Sequence, residues 1–255
     1  MQVNYYIPTN LLTTNNAKTK KGEKKGWTTH ILYMAPHKQN AMKKNVCSHA
    51  SAGCAAACLF GSGRAMYSGV QRGRTNKTEY FLNNQAGFMA QLVRELTKIT
   101  AKKGDSNVAV RLNGTSDIPY ENIIIRDGKN IFQLFPDLTF YDYTKNHTRF
   151  KKELPANYSL VFSRSEINEE KALELLASGV NVAMVFETVP TTYKGYPVSD
   201  GDESDLRFLE QRGFIIGLKY KKLTIKGGDN EAGLAKGFVI SKEEVIADGL
   251  SKLAA

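Results

Sequence analysis

Three cysteines lie within twelve residues of this 255-residue chain, at Cys47, Cys54 and Cys58 in VCSHASAGCAAACLFGSG, and there is no other. The spacing Cys-x6-Cys-x3-Cys is filled mostly with Ala, Ser and Gly, residues that let backbone amides come close to a bound group. Thiolates are the preferred ligands of iron-sulfur clusters and zinc. Three of them on a four-iron four-sulfur (4Fe-4S) cluster leave one iron open to a substrate, a cofactor or water. Zinc would instead close a tetrahedron, with His49 completing Cys47-x-His49-x4-Cys54-x3-Cys58. The small residues in the intervals favour the cluster. Three buried small residues that happen to be cysteine are the plainer alternative. An odd count without signs of secretion argues against disulfides. If AAACLF opens a helix, Cys54 and Cys58 project from one face of it and Cys47 reaches in from the preceding loop.

A second set of chemical side chains recurs at the polar ends of apolar runs. NVAVRLNGTSD ends in Arg111, Asn113, Ser116 and Asp117. LTFYDYTKN ends in Asp142, Tyr143 and Lys145, and YSLVFSRSE in Ser163, Arg164 and Glu166. VNVAMVFETVP ends in Glu187 and Thr188, and FIIGLKYKK carries Lys219. Singly, each is as well explained by a cap or a loop hydrogen bond. Their recurrence at five successive runs is the signal. Arg64, Arg72, Arg74 and Lys77 directly follow the cysteines, where arginine can hold a phosphate or carboxylate bidentately.

These side chains need a frame, and the apolar runs supply one. WTTHILYMAP reads as a first strand ahead of the cysteine loop. TEYFLNNQAGFMAQLVRELTKITAKKG reads as one long helix, its core stripe running from Phe81 to Ile99 and its stop at Gly104. IPYENI and NIFQLFPDL supply a short helical crossover. NEEKALELLASG reads as a helix capped by Asn168 and closed by Gly179. DESDLRFLEQRG reads as another, and GFVISKEEVIADGLSKLAA as a last strand and closing helix. Continuously apolar strands separated by helices predict a parallel α/β sheet with covered faces. The expected fold is a full or partial parallel β/α barrel, one domain over 1–255, with the cysteine loop at 45–64 at its mouth. Function in such barrels gathers at the C-terminal strand ends.

The hydrophobic fraction is 42% and the net charge +10. That charge attracts anions, whether nucleic acid, nucleotides or a small anionic metabolite. AKTKKGEKKGW, with Lys18, Lys20, Lys21, Lys24 and Lys25, reads as a solvated loop or hairpin tip. VPTTYKGYPVSDGDESD is the candidate for a lid or insertion. Its Asp200, Asp202, Glu203 and Asp205 lack the calcium-loop pattern, and helix capping by Asp202 or Ser204 explains them better. No run of about 18 apolar residues crosses a membrane. The N-terminus has no secretory signal, so the cytosol is the expected location.

CSHASAGCAAACLFGSGRA, VRLNGTSDIPYE, FYDYTK, VFSRSE and the stretch from DGDESDLRF to GLKYK together resemble a bacteriophage family named after a mycobacteriophage gene product. The resemblance covers roughly residues 27 to 240 and implies a phage-encoded protein of the host cytosol; it implies no particular reaction. A weaker likeness is to radical S-adenosylmethionine enzymes, partial β/α barrels whose three cysteines after the first strand hold a four-iron cluster and the cofactor. Their spacing is Cys-x3-Cys-x2-Cys, and LNGTSD stands here in place of their glycine-rich stretch. Aconitase-type hydro-lyases offer a chemical likeness, with an open iron acting as Lewis acid amid serines and arginines. It implies such parts for Arg64, Arg111, Arg164, Ser163 and Ser165. The expected function is a 4Fe-4S protein acting on a small anionic ligand by radical or Lewis-acid chemistry. Candidate ligand-binding residues are Arg64, Arg111, Asn113, Asp117, Asp142, Lys145, Ser163, Arg164 and Glu187. The alternative is a non-catalytic metal protein, with zinc or a redox-sensing cluster, that binds nucleic acid or a host protein.

Overall fold

The structure, a computed structural model, describes residues 5–104, 106–221 and 236–253. Ten strands alternate with seven α-helices among these residues. The strands are β1 (Leu12–Thr13), β2 (Trp27–Leu32), β3 (Asn107–Arg111), β4 (Thr139–Thr144), β5 (Tyr158–Ser163), β6 (Val182–Phe186), β7 (Thr192–Tyr193), β8 (Tyr196–Asp200), β9 (Ile215–Lys219) and β10 (Val239–Ile240). The helices are α1 (Ala17–Glu23), α2 (Ala52–Ala56), α3 (Ser68–Asn83), α4 (Gln85–Lys103), α5 (Ile131–Leu134), α6 (Glu169–Ala177) and α7 (Lys242–Leu253).

The sheet runs in the order β1-β2-β3-β4-β5-β6-β9-β8-β7, with β10 beside β6. It is a mostly parallel α/β sheet: β2 with β3, β3 with β4, β5 with β6 and β6 with β9 all run the same way. β1–β2 and β7–β8 are antiparallel. The order is open, ending at β1 and β7. The parallel α/β class expected from the apolar runs is present; a closed ring of strands is not shown.

The chain divides into two compact units. The first takes in Met1–Ser48, Tyr67–Asp142 and Thr148–Leu160; the second takes in His49–Met66, Tyr143–His147 and Val161–Ala255. The first unit packs α3 and α4 on its strands. Tyr80, Phe81, Phe88, Leu92 and Leu96 are buried against Val108, Val110, Phe132 and Phe140. Edge-on rings of Phe81 and Phe88, 5.2 Å apart, knit the two helices together. In the second unit, Val161, Ala183 and Ile216 form a small core, and Ala57 packs with Phe238 and Val239.

Four elements depart from the sequence reading. The long helix is two helices, broken at Asn84, whose φ of −146° leaves the helical region and whose Oδ1 accepts from Gly87 N at 2.8 Å. Asn84 thus caps α4, the local competition that disfavours Asn inside helices. The basic run read as a loop forms α1, after Thr19 and Asn16 exchange side-chain and backbone hydrogen bonds at its start. DESDLRFLEQRG makes only a 3-10 turn over Arg207–Leu209. There Ser204 Oγ accepts from Leu206 N, and the buried Arg207 donates to the Ser204 carbonyl, so local bonds displace the helix ladder. The lid candidate contains the β7–β8 hairpin, turned at Lys194 and Gly195 with φ of 51° and 86°, and β8 joins β9 in parallel. Part of the FIIGLKYKK reading, Lys222, lies outside the described residues.

Candidate functional site

Loops after the parallel strands carry nearly all the predicted side chains, and in each unit a cysteine segment is docked on such a loop. In the first unit, β3 ends at Arg111 and runs into Asn113–Asp117. Asp142, near the end of β4 and 1% exposed, accepts from Asn113 N at 2.7 Å and from Asn113 Nδ2 at 3.2 Å. Asn113 Oδ1 in turn accepts from Ser116 Oγ and Ile118 N, both at 2.8 Å. One asparagine therefore folds the turn and ties it to the neighbouring strand. Gly114 is required there: a Cβ would lie 2.7 Å from Ile31 Cγ2 and from the Leu32 carbonyl oxygen.

Burial pushes the Asp142 carboxyl up to about 7, against the pull of Arg111 and the Asn113 amide. Arg111 Nε stands 4.0 Å from Asp142 Oδ1. On the other side Tyr158 Oη donates to Asp142 Oδ2 at 3.3 Å while accepting from Arg149 Nη2 at 2.8 Å. Arg149, in the 3-10 turn His147–Lys151, grips Glu121 bidentately at 2.6 and 2.7 Å and reaches Asp117 Oδ1 at 3.2 Å. The Tyr158 hydroxyl is driven well above its ordinary range by burial, so it serves as a neutral donor. The result is a continuous buried chain, Glu121–Arg149–Tyr158–Asp142–Asn113.

Cys47 is docked on this turn. Val46 carbonyl oxygen accepts from Asp117 N at 2.9 Å, the Cys47 thiol lies 3.6 Å from the Thr115 carbonyl oxygen, and His37 N donates to its sulfur at 3.3 Å.

In the second unit the clamp is Glu166, just past β5. Its Oε2 accepts from Ser51 Oγ at 2.7 Å and its Oε1 from Gly53 N at 2.6 Å. Ser51 Oγ caps α2 by accepting from Cys54 N at 3.1 Å. Burial would raise the Glu166 carboxyl, but the Ser51 and Gly53 bonds outweigh it and hold it below the usual carboxylate range. Gly53 fits because a Cβ would meet Phe238 Cβ at 2.6 Å. Cys54 and Cys58 do not share a helix face: Ala57 closes α2, and Cys58 opens the next turn, its carbonyl accepting from Gly61 N.

The other expected residues of this unit divide by partner. Lys145 Nζ donates to Ser163 Oγ at 2.9 Å. Arg164 donates to the Gly237 and Phe238 carbonyls and to Glu169 Oε2 at 2.5, 3.1 and 2.9 Å. Asn168 stands at the N-cap of α6, as expected, but its side chain makes no cap bond to the helix; it accepts from Ser165 N and donates to the Ser163 carbonyl. Glu187 Oε2 accepts from Lys242 N at 3.3 Å, and Arg64 is exposed in the turn Gly63–Met66. Asp202 is occupied by Lys219 N and Lys221 Nζ.

The three cysteines form no disulfide, and each is half-buried. Among the described residues, no three or more His, Cys, Asp or Glu side chains are gathered so as to hold a metal ion. As arranged, the cysteines and His49 therefore do not present a formed cluster or zinc site. Ser51, Glu121, Arg149 and Tyr158 are missing from the sequence reading. The partners Glu166 of Ser51, Glu121 of Arg149, and Arg149 and Asp142 of Tyr158 lie 9 to 115 positions away, and near-neighbour spacing does not reveal them.

A family model described as Gene product 88 matches residues 10–242. Comparisons with curated proteins and with solved structures yield no match. The likenesses to radical S-adenosylmethionine and aconitase-type enzymes accordingly rest on the residues alone. No described helix is long and apolar enough to cross a membrane.

Proposed function

The chain belongs to the Gene product 88 family, a bacteriophage family, and from that premise we propose that it is a phage-encoded protein of the host cytosol that handles a small anionic compound at its C-terminal strand ends. The observation that carries this reading is the docking of the cysteine segments: in each unit they are fastened to a strand-end loop, through Asp117 N in one and Glu166 in the other. Loops after parallel strands are where α/β folds place ligand sites. The net charge of +10 supports an anionic ligand over a cationic one. A partial β/α barrel as the finer form of the sheet belongs to the same proposal.

Asp142 adds a chemical capability. A carboxyl near pH 7 suits proton transfer, and its link through Tyr158 to Arg149 positions it. Ligation of an iron-sulfur cluster by Cys47, Cys54 and Cys58, with zinc as the alternative and S-adenosylmethionine as a possible cofactor, is a second reading. It is supported by the spacing and by three half-buried cysteines that form no disulfide. Binding of nucleic acid or a host protein to the basic surface is the non-catalytic alternative.

The test is anaerobic purification followed by iron, acid-labile sulfide and zinc analysis, with each cysteine changed to Ala in turn. Stoichiometric iron and sulfide, lost in all three variants, supports the cluster. One zinc per chain without sulfide supports the alternative, and neither metal in the anaerobic protein refutes both. Retention of an anionic ligand through purification, read by mass spectrometry, tests the broader reading; a protein that binds no anion in calorimetry would sink it.

A further inference from the structure

Two consecutive side chains just past the end of β5, Arg164 and Ser165, carry buried hydrogen-bond donors for which no acceptor is found among the described residues. Beside them Ser163 Oγ, half-buried, accepts from Lys145 Nζ at 2.9 Å, which turns its own proton away from the lysine. Ser165 is 0% exposed and its Oγ has no partner among the described residues. Arg164 is 3% exposed and, with both terminal nitrogens committed to carbonyls and Glu169, its Nε has none. Buried donors left unmade cost free energy, so such a concentration calls for an acceptor.

The charge beside these donors is Lys145, which lies just after β4 and stands 5.5 Å from the centre of the Phe238 ring. Lys145 and Ser163 are both half-buried, so a small ligand can reach them. The arginine fork that would select a planar carboxylate is already occupied. Around Ser163 stand one ammonium point charge, already bonded to that serine, the Arg164 Nε–H and serine hydroxyls, a donor set that suits the distributed oxygens of a phosphate.

We propose that Lys145, Ser163 and Ser165, at the C-terminal ends of β4 and β5, form a subsite for the phosphate group of a small ligand. This rests on the reading of the strand ends as an anion-handling edge and specifies its chemistry. Lys145 supplies the charge and orients the Ser163 hydroxyl, Ser163 donates to one phosphate oxygen, and the Ser165 hydroxyl gains the acceptor it lacks.

The experiment is isothermal titration calorimetry of the full chain at 0.15 M salt with inorganic phosphate and, separately, ribose 5-phosphate. The proteins are wild type, Lys145→Gln, Ser163→Ala and, as a control on α6, Lys171→Gln. Wild type and the control should bind saturably, and each site variant should lose about tenfold or more in affinity. Tighter binding of ribose 5-phosphate would support a phosphorylated metabolite; equal binding would support free phosphate. Site variants that bind as wild type does would overturn the subsite while leaving the anion-handling edge standing, and a wild type that binds neither probe nor any carboxylate would overturn both. Ser163→Ala removes one oxygen from a half-buried position, so it carries the test by itself should Lys145→Gln fail to fold.

Discussion

Changing Asp142 to Asn should remove a pH effect on stability. The carboxyl lies at about 7 in the folded chain against an ordinary 3.8, because burial penalises its charge. Between those values the folded protein holds a proton that the unfolded chain has released. Stability from this group is therefore full below about pH 4 and falls as pH rises toward 7. Three pH units at 1.36 kcal/mol each give a loss of about 4 kcal/mol across the window. Asparagine has no such titration. It keeps an oxygen for Asn113 N but sets an amide against the donors of Tyr158 and Asn113 and leaves Arg111 without its carboxyl, at a pH-independent cost of about 2 kcal/mol. Urea denaturation of both proteins from pH 4 to 8 should give curves that converge and cross, with wild type the more stable at pH 4 and the variant at pH 8. Other titrating groups, such as His30 and Glu166, contribute equally to both and cancel in the difference. Parallel curves would refute the claim that Asp142 is buried with a raised carboxyl.

Three further outcomes follow from the geometry. Gly114→Ala places a methyl 2.7 Å from the Leu32 carbonyl oxygen, which the sheet holds in place, and should cost about 1–3 kcal/mol in urea unfolding; a neutral result would refute the close approach. Glu166→Gln replaces one acceptor of the Ser51–Gly53 clamp with a donor, so Cys54 should be alkylated by iodoacetamide several-fold faster, and an unchanged rate would mean the clamp does not hold the segment. Because the Glu166 carboxyl lies below its usual range, its contribution persists above the unfolded carboxylate pKa and is lost only as pH falls through the lower folded value. Arg149→Lys keeps the charge and loses the fork on Glu121, and should lower stability by about 2 kcal/mol or more in thermal melts, with Glu121→Gln in the Lys background adding little further.

Local pattern is legible wherever it has a period or a cap. The apolar runs of β3, β4, β5 and β6 read correctly as strands of a parallel sheet because beyond Asn107 every residue in them is buried or half-buried, which erases the alternation of a strand with one solvent face. Gly104 and Gly179 stop α4 and α6 with φ of 52° and 86°, the left-handed region that glycine enters without the cost of a Cβ. Asn84 was opaque because the apolar stripe continues on either side of it, and a stripe does not reveal that one side chain has turned to cap its own backbone.

By itself the amino-acid sequence determined the parallel α/β class, the clustering of thiols in one loop, the basic charge and the polar character of the strand ends, since each of these depends on composition or near-neighbour spacing. Tertiary structure alone decided what those polar residues do. Asp142 became an anchor with a raised carboxyl because burial withdraws water from it, and Glu166 a clamp because Ser51 and Gly53, over a hundred positions earlier, fold back onto it. Lys145 and Ser163 are eighteen positions apart and meet only because β4 and β5 are neighbours in the sheet. Charge, desolvation and hydrogen-bond geometry act through space, so a side chain's role is set by neighbours that its place in the chain does not name.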